Sequence, residues 1–562
     1  MIVAVRLAVT TDADRDTLFT RVVFFCVFAA AIVVWFGNSA YRTLTEPDEA
    51  RYAEIAREML ASGDWVTPHL NGISYLEKPP LQYWVTALAY SIFGVTPWAA
   101  RLWVITLGLL GVIVTWATAR SLWGRQAGEY AALILASVPL YFVVTHINTL
   151  DGGLAFFMNA ALCCFLLSQR HGTSRRSQRH WMWLCWAALA PGFLQKGLVA
   201  LVLPALALGA YSLLHRRWHL WRELHLRDGL AIVAVIVLPW LLLVSLRNPQ
   251  FLQFFFVHEH FARYTTTVHR RSEPWWYLTA ILCAGTLPWL VVMTRAVRDG
   301  LRTKDPAAVS PERLLVIWTF TQLLFFSLSG SQLPMYIVPA AAPLALLAAR
   351  WLDTRGDVRA MRSVLAISSA LNVAFLLLPV LLPRLVQDGP KLTAYSQIAQ
   401  WAQIAGIAGL ACVAWGVMAV RSTDLRSAIR ALAASIAIPL ALLMCGSNAI
   451  ELVRGRPGLA ATIAPHLKAD TPFYCVGMYW HALVLSLQRT CTVVEYRGEL
   501  ELEFDTTQAH QLQNLDEFAR RWELHRSAVA VAAPRLLPSI AAAGLTHHII
   551  VSDDNVVLLV KP

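Results

Sequence analysis

Residues 44–84 read LTEPDEARYAEIAREMLASGDWVTPHLNGISYLEKPPLQYW, a charged loop set between hydrophobic stretches long enough to cross a bilayer. Acids and bases gathered so densely beside a membrane are costly unless they pair or react, so the loop points to chemistry at a membrane face. What lies on either side decides the fold.

Over 562 residues the chain is 57% hydrophobic and 15% charged, with a mean hydropathy of +0.52. That composition cannot be arranged around one soluble core. A span needs about 20 mostly apolar residues, and thirteen candidate spans are expected at 22–37, 98–119, 126–144, 150–169, 181–194, 197–214, 229–247, 275–294, 313–330, 336–350, 362–384, 399–420 and 428–447. The apolar run Leu81 to Gly94 is too short to cross comfortably and reads as interfacial or re-entrant. The first apolar stretch follows Asp12, Asp14 and Asp16 and lacks a good small-residue cleavage site, so it is expected to stay as an anchor.

With Leu81 to Gly94 not crossing, the loops fall into two alternating sets. One holds arginine after arginine, including Arg120, Arg125, Arg175, Arg216, Arg295, Arg359 and Arg426; the short loops of the other hold only Lys196. The positive-inside rule then places the N-terminus in the cytoplasm and the charged loop and C-terminus outside. The net charge of +12 is a topology signal, and no nucleic-acid partner is implied. Many tryptophans, among them Trp65, Trp84, Trp98, Trp275, Trp276 and Trp289, fall where interfacial belts are expected.

After about residue 450 the apolar runs shorten to strand length: Phe473–Val476, Cys491–Tyr496, Ala528–Ala532, His548–Ser552 and Val556–Val560, with helices expected near Leu512–Arg521 and Leu536–Ala543. Residues 1–449 thus form a transmembrane domain and 450–562 a small exterior α/β domain. Seven of the nine cysteines lie in spans. Cys475 and Cys491 lie in the exterior domain, where an oxidising compartment permits a bridge between them.

Within the loop, Thr45 as N-cap and Pro47 in the first turn begin a helix that Gly63 ends. Tyr52, Ile55, Ala56, Met59 and Leu60 make an apolar stripe, and Glu54, Arg57 and Glu58 occupy the other side, so the helix is expected to lie flat on the outer membrane surface. Asp48, Arg51 and Tyr52 share one face. Alone, Asp48 reads as a helix cap. Asp151, in THINTLDGG at an outer span mouth, reads alone as a solvated acid. Together with Lys78, Arg263 and several histidines on the same side they indicate a functional site.

The runs TEPDEARYAEIAREM and GDWVTPHLNGISYLEKPPLQYW resemble the first outer loop of the aminoarabinose transferases that decorate lipid A. With the protein O-mannosyltransferases, these belong to the GT-C type of transferases using polyprenyl-phosphate sugars. The resemblance extends over most of the chain: the span number, the acid after the third span, the long loop Asn248 to Glu273 and the exterior domain. It implies a polytopic α-helical membrane protein of GT-C type in a bacterial inner membrane. The implied reaction moves 4-amino-4-deoxy-L-arabinose from undecaprenyl phosphate to lipid A at the periplasmic face. It also implies Asp48 as catalytic acid/base, with Asp151 beside it, and Lys78 and Arg263 on the donor phosphate.

Chemistry gives an independent reason for these parts. Outside the inner membrane a sugar must arrive on a lipid phosphate, and the departing phosphate needs fixed cations. Lys78 in LEKPP and Arg263 in HEHFARY are suited to that task, with Tyr336 in the Gly/Pro-interrupted SGSQLPMYIVP lining the same cavity. Arg51, Tyr52 and Tyr75 are the expected substrate contacts. A lipid A phosphate is already an anion, so Asp48 would orient the acceptor or steady charge on the sugar, whereas a Ser or Thr acceptor would need a general base. Some members of the superfamily use a divalent metal; Glu77 and His258, with Glu259 and His260, are the candidate ligands for Zn or Mg. A monomer is expected. A protein O-mannosyltransferase is the first alternative. A lipid or solute transporter is the second, and no clear internal repeat supports it.

Overall fold

Described in a computed structural model are residues 32–262, 264, 273–303, 309–386, 389–449, 458–496 and 511–561. The long apolar runs are helices because only a helix satisfies its backbone internally in hydrocarbon. Among the described residues seven are long and apolar enough to cross: Pro97–Trp123, Leu150–Ser168, Leu226–Arg247, Pro334–Arg355, Arg359–Arg384, Lys391–Arg421 and Leu425–Cys445. An eighth is counted if the pair Tyr277–Gly285 and Leu290–Arg302, bent by 114°, is one span.

Several expected spans are broken for local reasons. Pro139 forces Val138 into an extended conformation and divides 126–144 into Arg125–Ser137 and Pro139–Val144. The stretch expected at 336–350 opens as a 3-10 helix, Pro334–Ala340, before continuing as Ala341–Arg355. Of the first expected span, residues 22–31 lie outside the described residues, and 32–41 are helical. Leu81–Phe93 is a short helix, as its length requires.

The loop helix runs Asp48–Ser62, with Gly63 in the left-handed conformation at its end. Two details differ from expectation. The residue before the helix is Pro47, with no side-chain cap; Thr45 instead donates its N–H and hydroxyl to the Glu49 carboxylate at 3.0 and 2.9 Å. Nor does the helix float on the membrane with a wet polar face. Glu54 and Glu58 are buried with the apolar stripe, because the C-terminal domain covers that side.

That domain carries a six-stranded sheet in the order Gln511–Leu512, Thr492–Val494, Phe473–Val476, Ala528–Ala532, Val557–Lys561, His548–Ser552. The first four strands are parallel and the last two join antiparallel. Leu512, where a helix was expected to begin, is in the edge strand Gln511–Leu512, and the helix begins at Leu515. One face of the sheet packs on Phe518 and Trp522 of Leu515–Leu524. The other, through Phe473, Cys475, Val493 and Val529, joins one apolar core with Ile55, Met59, Tyr83 and Tyr90 of the loop and the short helix. Trp289, expected in an interfacial belt, is instead fully buried in the core of the spans and donates to Ser137 at 2.9 Å.

Candidate active site

The loop is held in place by a carboxylate next to the expected catalytic one. Glu49 is fully buried, and Arg101 of Pro97–Trp123 donates to both its oxygens at 2.7 Å. The same guanidinium donates to the carbonyls of Ser39, Arg42 and Thr43, so its charge is saturated by one carboxylate and three backbone dipoles. Burial alone would raise the Glu49 pKa, but the charge and hydrogen bonds of Arg101 hold it down at about 2. The backbone N–H of Asn148 also donates to Glu49, and the Asn148 side chain leads through Gln82 to Gln195. This relay links the loop to the mouth of Leu150–Ser168, where Asp151 lies in the first turn.

Around that frame the sequence-predicted residues converge. Asp48 is the most open of the acids, 37% exposed, and lies 3.4 Å from Arg51 one turn later. Arg51 sits over the Tyr52 ring at 5.8 Å. Burial pushes the Tyr52 phenol far above its ordinary pKa, and Arg51, Asp48, Asp151 and Glu77 are all near enough to act on it electrostatically. Tyr75, likewise buried and held neutral, donates to Glu77 at 3.1 Å. Tyr83, which the sequence reading did not single out, packs against both Tyr52 and Tyr75.

Asp151 is not a free acid. Lys196, the last residue of Arg175–Lys196, donates to its carboxylate, and the same ammonium lies 4.6 Å from the centre of the Tyr336 ring. Lys196 therefore joins two predicted site residues that lie far apart in the sequence. Lys78 projects toward the later outer segment and donates to buried Glu259 at 2.6 Å and to the Glu77 carbonyl at 3.0 Å. Glu259 belongs to a π-helical segment, Gln253–Ala262, where an irregular loop was expected. Arg263 lies outside the described residues.

Of the expected metal ligands, the side chain of His260 lies outside the described residues. Glu77 is engaged by the Tyr75 hydroxyl, while His258 is half exposed, stacks on Phe254 and has its Nδ1 3.9 Å from Glu259. Among the described residues no three His, Cys, Asp or Glu side chains gather as ligands. The arrangement supplies two lysines, Lys78 and Lys196, each paired with a buried acid, and one more open carboxylate, Asp48. Such a site suits transfer of a group from a phosphate leaving group.

Two family profiles match the chain: one described as dolichyl-phosphate-mannose-protein mannosyltransferase over residues 19–255, the other as aminoarabinose transferase C-terminal domain over residues 459–561. The undecaprenyl phosphate-alpha-4-amino-4-deoxy-L-arabinose arabinosyl transferase of Pectobacterium carotovorum subsp. carotovorum is 35% identical over 486 residues, which is 82% of each chain. The protein of the same name from Yersinia enterocolitica is 36% identical over 338 residues, and that match spans 60% of its length. The crystal structure of ArnT from Cupriavidus metallidurans bound to undecaprenyl phosphate superposes with a TM-score of 0.87 at 35% identity, covering 97% of this chain and 98% of that one.

Proposed function

Because the chain belongs to the family of undecaprenyl phosphate-aminoarabinose arabinosyl transferases, we propose that it is a GT-C membrane glycosyltransferase moving 4-amino-4-deoxy-L-arabinose from undecaprenyl phosphate to a phosphate of lipid A. The observation that carries this reading beyond family membership is the placement of Lys78. Its ammonium lies at the meeting of the first outer loop and the 253–262 segment, 3.8 Å from the Glu77 carboxylate that accepts from Tyr75.

In the proposed step an oxygen of the acceptor phosphate attacks the anomeric carbon from the face opposite the leaving group. A carbon–oxygen bond forms there, the bond to undecaprenyl phosphate breaks, and the configuration inverts. The leaving group departs as a dianion or monoanion, which Lys78 and, by family resemblance, Arg263 stabilise at the moment charge develops. For Lys78 this means exchanging Glu259 for the donor phosphate, since two anions cannot share one ammonium cheaply. The attacking phosphate oxygen needs no deprotonation, so Asp48 serves to orient the acceptor and to balance the cationic amine and the charge on the sugar ring. Asp151, neutralised by Lys196, fixes the wall that carries Tyr336. No step requires a metal.

An exterior active site follows from the distribution of arginine, with the N-terminus inside and the exterior domain in the periplasm. Covering lipid A phosphates with an amine weakens their attraction for cationic peptides, so polymyxin resistance is the expected phenotype. The test is mass spectrometry of lipid A from a Gram-negative strain that makes the donor but lacks its own transferase. Wild-type complementation is expected to add an aminopentose per modified phosphate and Asp48→Asn to abolish the gain. No gain from folded, inserted wild-type protein would move the reading to another sugar or to a protein acceptor.

A further inference from the structure

Two cysteines outside the active site are placed as a pair. Cys475 is on the strand Phe473–Val476, and Cys491 directly precedes the parallel neighbour Thr492–Val494, with Cys475 in register with Val493. Side chains alternate across a sheet, so Cys491 and Val493 share a face, and Cys475 is on it too. The Cys491 thiol is near enough to the Cys475 thiol to act on it electrostatically, and both are buried and unbridged. Each is 1% exposed, so no small oxidant reaches them in the folded protein.

What the pair encloses is more telling than the pair itself. The segment 475–491 contains the helix His481–Leu487, which packs on the catalytic-loop helix Asp48–Ser62. His481 Nδ1 is 3.0 Å from the Glu46 carboxylate, and the Ala482 N–H donates to the same group, two residues before Asp48. At the other end, Cys491 exchanges two hydrogen bonds with the side chain of Asn71, both 2.9 Å. The N–H groups of Asn71 and Gly72 in turn donate to Glu58 of the loop helix at 2.6 and 2.8 Å. The two anchors of the catalytic loop therefore hang on one segment whose ends are the two cysteines.

We propose that Cys475 and Cys491 are a site of disulfide formation that staples this segment and thereby fixes both anchors of the catalytic loop. The proposal rests on the exterior placement of the domain but not on the identity of the sugar or acceptor. In the step, the two thiols lose two protons and two electrons and a sulfur–sulfur bond forms. The electrons pass by thiol–disulfide exchange to the disulfide of an exterior thiol oxidase, which becomes a dithiol. Burial of both sulfurs requires the exchange to take place on the folding chain, before the sheet closes on the loop. Closing the ring removes disorder from the unfolded segment, so the bridged form is the more stable.

The experiment uses the full-length protein in cells with intact exterior thiol oxidation. Acid trapping, denaturation and alkylation without reductant are followed by proteolysis and mass spectrometry. The expected result is a linked peptide containing Cys475 and Cys491, two hydrogens lighter than its parts, with the other seven cysteines alkylated. Alkylation of both Cys475 and Cys491, with no linked peptide, would overturn the proposal. A second measurement separates the staple from general effects of reductant. Reductant is expected to lower the unfolding midpoint of wild type in detergent by several degrees and to leave that of Cys475→Ala/Cys491→Ala unchanged. An equal shift in both proteins would also count against it. Neither readout depends on transferase activity, so failure here is distinct from failure of the functional reading.

Discussion

Replacing Glu49 with Gln tests whether the catalytic loop is fastened by the buried ion pair with Arg101. The variant keeps the shape of the side chain and removes its charge. Arg101 is left fully buried with the carbonyls of Ser39, Arg42 and Thr43 as partners but no counter-ion. A carboxyl held from its ordinary 4.5 down to about 2 is stabilised in the folded state at neutral pH by about 3 kcal/mol. Removing one partner of a buried pair costs about 3–5 kcal/mol by general experience, which agrees. The sign with pH follows from the depressed pKa. Stability from Glu49 is complete above pH 4.5 and is lost as pH falls toward about 2, because the unfolded chain takes up the proton first.

Thermal unfolding of the purified protein in detergent, followed by intrinsic fluorescence, measures this. Glu49→Gln is expected to unfold at a clearly lower temperature at pH 7. Wild type should lose its advantage as pH falls through that window, while the variant should show a shallower dependence. Glu49→Leu combined with Arg101→Leu should recover part of the loss, since neither charge then remains buried alone. A Glu49→Gln midpoint indistinguishable from wild type at pH 7 would show that the pair does not hold the loop.

Three further outcomes follow from the site. Lys78→Ala is expected to lower kcat/KM for the lipid-linked donor by about 10²–10³-fold, with Lys78→Arg retaining more, as measured in a reconstituted transfer assay; a loss under tenfold would remove Lys78 from the leaving-group role. Lys196→Met leaves Asp151 without its cation and is expected to cost roughly ten- to a hundredfold in kcat/KM, with the Lys196→Arg variant partly restoring activity; unchanged kinetics would confine the pair to folding. Treatment of purified enzyme with EDTA is expected to leave turnover unchanged, and loss of activity restored by added Zn or Mg would bring a metal into the scheme.

The parts legible in the sequence were those with a strong local signal. Apolar length marked most of the spans, short apolar runs marked the central strands, and Gly63 marked the end of the loop helix. What failed depended on tertiary cover. Glu54 and Glu58 read as a wet face because nothing local announces that another domain will lie on them; once it does, Arg57 pairs with Glu54 and backbone N–H groups with Glu58. Lys196 carried a signal that was available and unused: it was the only basic residue in the short outer loops, where a lone cation is expensive without a task. Glu259 was placed among possible metal ligands, although a carboxylate opposite a lysine is equally a counter-ion, and it pairs with Lys78.

The neighbours Asp48 and Glu49 show how one sequence of two acids yields two functions. They are chemically alike and a helical step of about 100° apart, so one points toward the substrate side while the other points into the spans. Arg101 can reach only the inward one, and two of its donors hold Glu49 as a fully buried anion at neutral pH. Asp48 escapes that fate because its partner, Arg51, is on the same helix face and offers a single longer contact. A carboxylate held that loosely can exchange its cation for an amine or a developing charge at small cost. The rigid acid thus sets the position of the mobile one, and a change at Glu49 should disturb catalysis through Asp48 even though Glu49 touches no substrate.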